Sequence, residues 1–319
     1  MLKESTVKEN SACLVCQTCL DKPSEYYING DRRKGIEGDW RLLECDSCGA
    51  IQMNPMPTDI ELAEYYSSYS VDEKVDLSER RGSRFPTLRK IYHWLTGDVD
   101  PRDFIKVREG DRVLDYGCGH AGYLTDFHNR GIDIVGADIA EYAVKDCQDA
   151  GYNVQKVEDF SHIPFESEEF DIVYLMQVFE HLRDPHGFMQ ELSRILKKDG
   201  ELYLAIPNSA SIWRKVFRSN WVSGWFAPFH LVHYNSEVMR VVAKKHGFEV
   251  VESWSRTPIH WFKLNLKAWL MPKSNRIDWD KSWLDNRLAL ELLMVFLRLI
   301  ELPFREKDCL VVKLRKIKQ

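Results

Sequence analysis

Arg112 to Gly122 reads R-V-L-D-Y-G-C-G-H-A-G. Val113 and Leu114 begin a short apolar strand, Asp115 ends it, and Gly117 and Gly119 force a tight turn. From Ala121 onward, Ala121, Tyr123, Leu124 and Phe127 recur at helical spacing. Glycine lets backbone come close to a ligand, and a helix start offers free N–H groups. Strand, glycine turn, helix is therefore the layout of a nucleotide-binding crevice.

Gly117, Gly119 and Gly122 also satisfy G-x-G-x-x-G, on its own a weak dinucleotide signal. Asp115 points elsewhere. A carboxylate just before the turn repels a pyrophosphate and suits the ammonium of an amino-acid-like ligand. Downstream, Ile134 to Asp138 reads as a second strand ending in an acid placed to accept hydrogen bonds from a ribose. Phe170 to Met176 reads as a fourth strand, followed by Gln177-Val-Phe-Glu-His-Leu182. In these residues the chain resembles class I S-adenosylmethionine (SAM)-dependent methyltransferases of the ubiquinone- and sugar-methylating type. The resemblance is strong over Arg112 to Asn208 and weaker on either side.

That resemblance implies an α/β, Rossmann-like seven-stranded class I methyltransferase domain. It implies that Asp115, Tyr116, Gly117 and Gly119 line the methionine part of SAM. Asp138, with Ile139 beside it, would hold the ribose. Asp159 and Phe160, after the third strand, would lie near the adenine, and Gln177 would border the methionine part.

The pattern around these motifs alternates strand and helix, as a parallel sheet requires. Strands are expected at about 112–116, 132–137, 152–157, 171–176, 201–206, 248–254 and 308–314. Gly200 and Gly247 mark expected helix ends. In the resembling family the seventh strand runs antiparallel beside the fifth, and Cys309 to Leu314 fits that place. Two segments that leave strand ends are long: 207–235, with P-F-H-L-V-H-Y at 228–234, and 255–307. Eight of the ten tryptophans fall between 213 and 283, which suits walls for sugar rings or an apolar partner. The helical run Leu288 to Pro303 carries only Glu291, Arg298 and Glu301 as charges, near one face. Its other residues are expected to cover the domain, a second subunit or a membrane surface; the acids weigh against anionic lipid.

Five of the eight cysteines fall in the first 48 residues, as C-x2-C-x2-C and then C-x2-C. Two C-x2-C knuckles can make a tetrahedral four-cysteine zinc site. Cys16, Cys19, Cys45 and Cys48 are the expected ligands, with Cys13/Cys16 and Cys45/Cys48 as the rival pairing. Tyr26-Tyr27-Ile28 then supplies a strand, and Asn29-Gly30, Gly35 and Gly38 suit a hairpin. A head this small needs its metal to fold. Thr58 with Glu61 reads as a capping box. The run C-x2-C-G, N-P-x-P, E-L-x-x-Y-Y-x-x-Y resembles the zinc-ribbon head found before methyltransferase domains in bacterial sugar and surface-polysaccharide clusters. Tyr65, Tyr66 and Tyr69 either reach the active site or pack the helix. Residues 70–83 read as a linker or lid, and Phe85, Leu88, Ile91, Tyr92 and Leu95 as a helical stripe over the sheet edge.

The expected organisation is a zinc-ribbon head over 1–57 and a helical linker over 58–100. The SAM-binding core spans 101–254 and 308–319, with a helical insertion over 255–307. Net charge is −5, and the first 60 residues hold seven Lys/Arg against ten Asp/Glu, so nucleic acid is not the expected partner. An RNA base methyltransferase and a non-catalytic SAM-binding interaction protein are the rivals from other classes. A reductase is disfavoured, because Tyr152 and Lys156 have the needed spacing but span a strand. The N-terminus has no apolar run and no stretch is long and apolar enough for a transmembrane helix, so a cytoplasmic setting is expected. Histidine titrates near neutral pH and suits removal of an alcohol proton. His230 is the first candidate base, with His233 and His181 as alternatives. In the resembling family the position of His181 often ties the loop after strand four. The expected reaction is methyl transfer from SAM to a hydroxyl of a sugar, nucleotide sugar or glycan. Related C-methyltransferases carry a further large domain, so O-methylation is favoured here.

Overall fold

The computed structural model describes residues 11–20, 24–33, 35–58, 60–62, 64–65, 86–158, 162–271 and 287–317. Tyr66, Tyr69, residues 70–83, Phe85, Asp159, Phe160, Trp279 and Trp283 lie outside them.

At the N-terminal end, β1 (Ser24–Asp31) and β2 (Ile36–Glu44) form the expected hairpin, paired antiparallel from Ser24↔Glu44 to Asp31↔Ile36. A third strand, β3 (Ile51–Met53), runs antiparallel to β2. The capping box forms: Thr58 N donates to Glu61 Oε2 at 2.6 Å, and Glu61 N to Thr58 Oγ1 at 3.2 Å. Tyr65 packs edge-on to Trp40 and Phe229, each at 6.4 Å.

Two helices follow, α1 (Pro86–Thr96) and α2 (Pro101–Phe104). The alternating core then runs β4 (Arg112–Tyr116), α3 (Leu124–Asn129), β5 (Asp133–Asp138), α4 (Glu141–Asp149), β6 (Val154–Lys156), β7 (Phe170–Met176), α5 (Pro185–Ile195) and β8 (Leu196–Pro207). After β8 come α6 (Ile212–Phe217), α7 (Val222–Trp225), β9 (Val232–His233), α8 (Ser236–Lys245), β10 (Phe248–Arg256), α9 (Ile259–Leu270), α10 (Arg287–Glu301) and β11 (Cys309–Lys316).

Seven strands make one sheet in the order β10-β11-β8-β7-β4-β5-β6. The five from β8 to β6 are parallel, and β11 runs antiparallel between β8 and β10. This is the class I methyltransferase sheet, with the reversed strand where Cys309 to Leu314 was expected to place it. Both faces are covered, so the central strands bury apolar side chains on both sides rather than alternating apolar with polar. Val113, Ile134, Ile172 and Tyr174 pack into one layer, and Leu114, Val135, Val173 and Leu175 into the other.

Four expectations are corrected. Gly200 is not a helix end: α5 stops at Ile195, and β8 already pairs with β7 at Phe170↔Leu196. The helix after the glycine turn begins at Leu124 rather than Ala121. Trp213 and Trp221 are core residues rather than ligand walls. Each donates its indole N–H to a buried acid, Glu301 at 2.5 Å and Asp308 at 2.8 Å. Lastly, helix α10 turns Leu297 together with Arg298 and Glu301 toward the domain, Leu297 fully buried. Glu301 is buried, and Arg298 donates to the Thr257 carbonyl at 2.5 Å. Leu292, Val295, Phe296 and Leu299 face outward, Leu292 at 64% exposure. Ile91 and Tyr92 of α1 are likewise exposed instead of covering the sheet edge. Among the described residues no helix is long and apolar enough to cross a membrane.

The head and the core share a sheet. Strand β3 pairs antiparallel with β9, at Ile51↔His233 and Gln52↔Val232. The four-stranded sheet β1-β2-β3-β9 is therefore completed by the segment that leaves β8. Met53 N donates to the Leu231 carbonyl, and Leu231 N to the Glu180 carbonyl, at 2.9 and 2.8 Å.

Candidate active site and metal centre

In a parallel sheet, ligands bind beyond the C-terminal ends of the strands where the strand order reverses. Here that place is the end of β4, between β5 and β7. The chain turns there on Gly117 (φ +79°) and Gly119 (φ +49°), in the left-handed region that favours glycine. Gly117 is also sterically fixed, because a Cβ there would stand 2.3 Å from Val178 Cγ2 on the loop after β7. Gly119 differs: a Cβ there would meet nothing within 4 Å, so its surface is open.

Asp115 and Asp138 face this turn. Asp138 Oδ2 accepts from Gly119 N, and its Oδ1 accepts from Ala140 N, both at 2.8 Å. The carboxylate thus braces the turn and stands at the end of β5, where a ribose would bind. Asp115 is buried, and its Oδ2 has no hydrogen-bond partner among the described residues. Burial pushes its carboxyl up to about 7, against the pull of the Tyr174 hydroxyl and helped by Asp138. An orphaned buried carboxylate is costly unless a cation meets it. The ammonium of SAM is such a cation, and the open backbone at Gly119 leaves room for its amino-acid end. The residues fit the cofactor.

The other expected contacts divide. Ile139 is 49% exposed beside Asp138, a free apolar surface of the kind an adenine could cover. Gln177 holds φ +59° at the end of β7, a conformation that non-glycine residues adopt mainly under functional constraint. Its side-chain amide reaches Cys309 Sγ at 3.5 Å. Tyr116 is buried with its ring 5.0 Å from Phe188, on the layer packed beneath the sheet.

Next to Val178 lies a buried polar cluster that draws together all three candidate histidines. His181 Nδ1 meets the Phe229 carbonyl at 2.9 Å, tying the loop after β7 to the segment after β8. That matches the structural role implied for this position. His230 Nδ1 lies 2.7 Å from the Gly224 carbonyl. A carbonyl only accepts, so Nδ1 carries the proton and Nε2 keeps its lone pair. That Nε2 faces Glu180 Oε1 at 3.8 Å, and the His181 and His230 rings are 4.8 Å apart. Burial pushes the Glu180 carboxyl up to about 8, and neither of its oxygens has a hydrogen-bond partner among the described residues. Burial holds His181 down to about 4 and His230 well below its ordinary value. His233 is buried against Trp225, 5.0 Å away, and sits in the strand that carries the head. Sequence reasoning named the histidines and missed Glu180. The signal was its place beside His181, on a short turn of helix that buries Glu180 and half-buries His181. One atom each from Glu180, His181 and His230 lies within 4.8 Å of the others, a spacing that a divalent cation could bridge.

The cysteine centre corrects the expected ligand set. Cys13, Cys16, Cys45 and Cys48 converge, with their sulfurs within 4.8 Å of one another. Cys13 lies 3.6 Å from Cys48, and Cys16 lies 3.5 Å from Cys45. Zinc–sulfur bonds of about 2.3 Å in a tetrahedron put sulfurs roughly 3.8 Å apart, so the set fits zinc. Cys19 is outside it, exposed, in an isolated pairing with Ala12. The reason is how the knuckles close. Gln17 N bonds the Cys13 carbonyl and Gly49 N the Cys45 carbonyl. Cys13 N reaches Thr18 O as Cys45 N reaches Ala50 O. Both turns end on a left-handed residue, Gln17 at +64° and Gly49 at +77°. The two halves are therefore the same turn twice, and a Cys16–Cys19 turn has no place in it. A hydrogen bond from Cys48 holds the Cys13 thiol down to about 5.

The methyltransferase-domain family model matches residues 98–253. That stretch is a class I SAM-dependent methyltransferase domain. A ubiquinone biosynthesis O-methyltransferase of Glaesserella parasuis is 32% identical over 109 residues, covering 31% of this chain and 46% of that one. A sterol 24-C-methyltransferase of Schizosaccharomyces pombe is 34% identical over 104 residues, covering 30% and 27%. A SAM-dependent methyltransferase structure from Archaeoglobus fulgidus aligns over 79% of this chain and all of its own, with 18% identity and a TM-score of 0.47. The chain spans at most about half the length of these curated relatives.

Proposed function

We propose that the protein transfers a methyl group from SAM to a hydroxyl of a sugar, nucleotide sugar or glycan. The single observation that supports an oxygen acceptor is the Glu180–His230 pair beside the glycine turn. SAM supplies a methyl carbon already activated by a sulfonium charge. The chain must align an acceptor oxygen with it and remove that oxygen's proton. His230 Nε2 has a lone pair for this proton, fixed in direction by the Nδ1 bond to Gly224. Glu180 offers the imidazolium a negative partner once ionised. His181 positions the loop. Asp115 and Asp138 hold the two ends of SAM, and burial of the cluster excludes water. The proposed ligand of the four cysteines is a structural zinc.

O-methylation also accords with the relatives named as ubiquinone biosynthesis O-methyltransferases. Their acceptor ring is the second reading for this site.

The test is release of S-adenosylhomocysteine from SAM, measured across a panel of nucleotide sugars, free glycans and catechols. Turnover with a sugar-bearing acceptor supports the proposal. Turnover restricted to catechols replaces the acceptor class. His230→Ala is expected to cut kcat by about 10²-fold or more while SAM still binds; a variant at full rate removes His230 from the mechanism.

A further inference from the structure

Between the hairpin strand β1 and the turn after α6 lies a cleft of ≈ 500 Å³, within the size range of ligand sites. Aromatic rings form one side. Tyr26 stacks at a tilt on Trp225, 5.6 Å away, and Tyr27 stands 60% exposed at the mouth. Cations form the other side: Arg214, Lys215 and Arg218. The one acid among the lining residues is Glu25. Its carboxylate already accepts the Tyr27 hydroxyl at 2.5 Å and faces Arg41 at 3.9 Å, so it does not neutralise the opposite wall.

Two details mark the cationic wall as built rather than incidental. The Arg214 guanidinium lies 5.4 Å from the Tyr26 ring and 5.9 Å from the Trp225 ring, and its buried Nε has no hydrogen-bond partner among the described residues. Arg218 is held at φ 51° and ψ −120°, a strained conformation for a residue with a side chain. Its carbonyl receives the Trp225 indole N–H at 2.8 Å, so the strain also fixes the ring. Trp225 in turn packs edge-on to His233, whose ring is 6.2 Å from that of His230. The cleft thus joins the candidate base through two ring contacts.

We propose that this cleft binds the nucleoside diphosphate part of the acceptor. The base lies against Tyr26, on the β1 face that meets Trp225, and the diphosphate lies on Arg214, Lys215 and Arg218. Aromatic platforms hold a base through its π-face, and guanidinium groups match phosphate oxygens in pairs. The inference rests on the nucleotide-sugar reading above, and it narrows the acceptor to a sugar carried on a nucleotide.

The experiment is calorimetric titration of the zinc-loaded protein with UDP, dTDP, GDP, uridine and inorganic pyrophosphate, with SAM titrated in parallel. At least one nucleoside diphosphate is expected to bind more tightly than uridine or pyrophosphate. Arg218→Gln with Lys215→Gln should weaken that nucleotide by about tenfold or more and leave SAM binding unchanged. Tyr26→Leu should weaken nucleoside diphosphate and uridine by the same factor. Absence of binding by all three nucleotides overturns the proposal, as does a double variant that binds like the parent. Loss of SAM binding with nucleotide binding intact would strike the transferase reading instead, so the two failures are separable.

Discussion

The buried carboxylate of Asp115 sets the behaviour of the cofactor site. Held up to about 7 in the free protein, it must be ionised to meet an ammonium. SAM affinity is therefore expected to rise with pH up to about 7 and level off above, by up to roughly tenfold per pH unit on the acid side. Asp115→Asn should bind SAM more weakly and with a flat profile; calorimetry between pH 6 and 8 checks both. A variant that keeps the slope would place the titration elsewhere. Gly117→Ala is the second residue test. It combines a positive φ with a Cβ 2.3 Å from Val178, so it should displace the loop that carries Glu180 and His181. SAM binding and turnover are expected to fall together, while far-UV circular dichroism stays unchanged. These positions were legible in the sequence because the chemistry is local: acid, glycine and strand end lie within five residues. Glu180 was not, since its importance comes from burial among side chains from distant segments.

Elements in contact decide what the sequence left open. Cys13 and Cys19 each stand three residues from Cys16, so spacing alone cannot choose between them. The closure of the turn on Gln17 and Gly49 chooses Cys13. Cys13→Ser should therefore lose bound zinc and lower Tm, whereas Cys19→Ser should keep both at the parent level, measured by zinc release and thermal unfolding. Loss of zinc should also reach the active site, because β3 holds β9 and Leu231 holds Glu180. His186 Nε2 adds a bond to the Val15 carbonyl inside the first knuckle. Chelation is expected to change the fluorescence of Trp225, which packs on His233, before global unfolding. The helix α10 teaches the same lesson. Its periodicity shows two faces, but only the structure shows that Arg298 and Glu301 are buried beside Leu297 while Leu292, Val295, Phe296 and Leu299 face outward.

At the scale of the whole molecule, buried ionisable groups shape the pH dependence of stability. Asp115 and Asp308 are pushed by burial up to about 7, above their unfolded values. The stability tied to their protonated forms is complete below about pH 4 and is lost as pH rises through 7. His181 and His233, held down to about 4 and 3, act oppositely: what they contribute is lost as pH falls from about 6.5. The two trends offset each other in mildly acid solution. Above about pH 6.5 only the acids still change, now including Glu180, which burial pushes up to about 8, so Tm should decline from pH 6.5 to 8, and Asp308→Asn should reduce the part of the decline near pH 7. The sheet order was legible because the alternation of apolar strands and amphipathic helices runs the length of the core. The docking of the head was not, because β9 is only two residues long and its partner is some 180 residues away in the chain.

The central claim is that the crevice at Asp115, Gly117 and Asp138 binds SAM. Calorimetric titration of the folded, zinc-loaded protein with SAM, alongside Asp138→Ala, tests it most directly. Saturable binding that the variant loses is the predicted result. A folded, zinc-loaded protein that takes up no SAM, or a variant that binds as well as the parent, would contradict the assignment of the crevice.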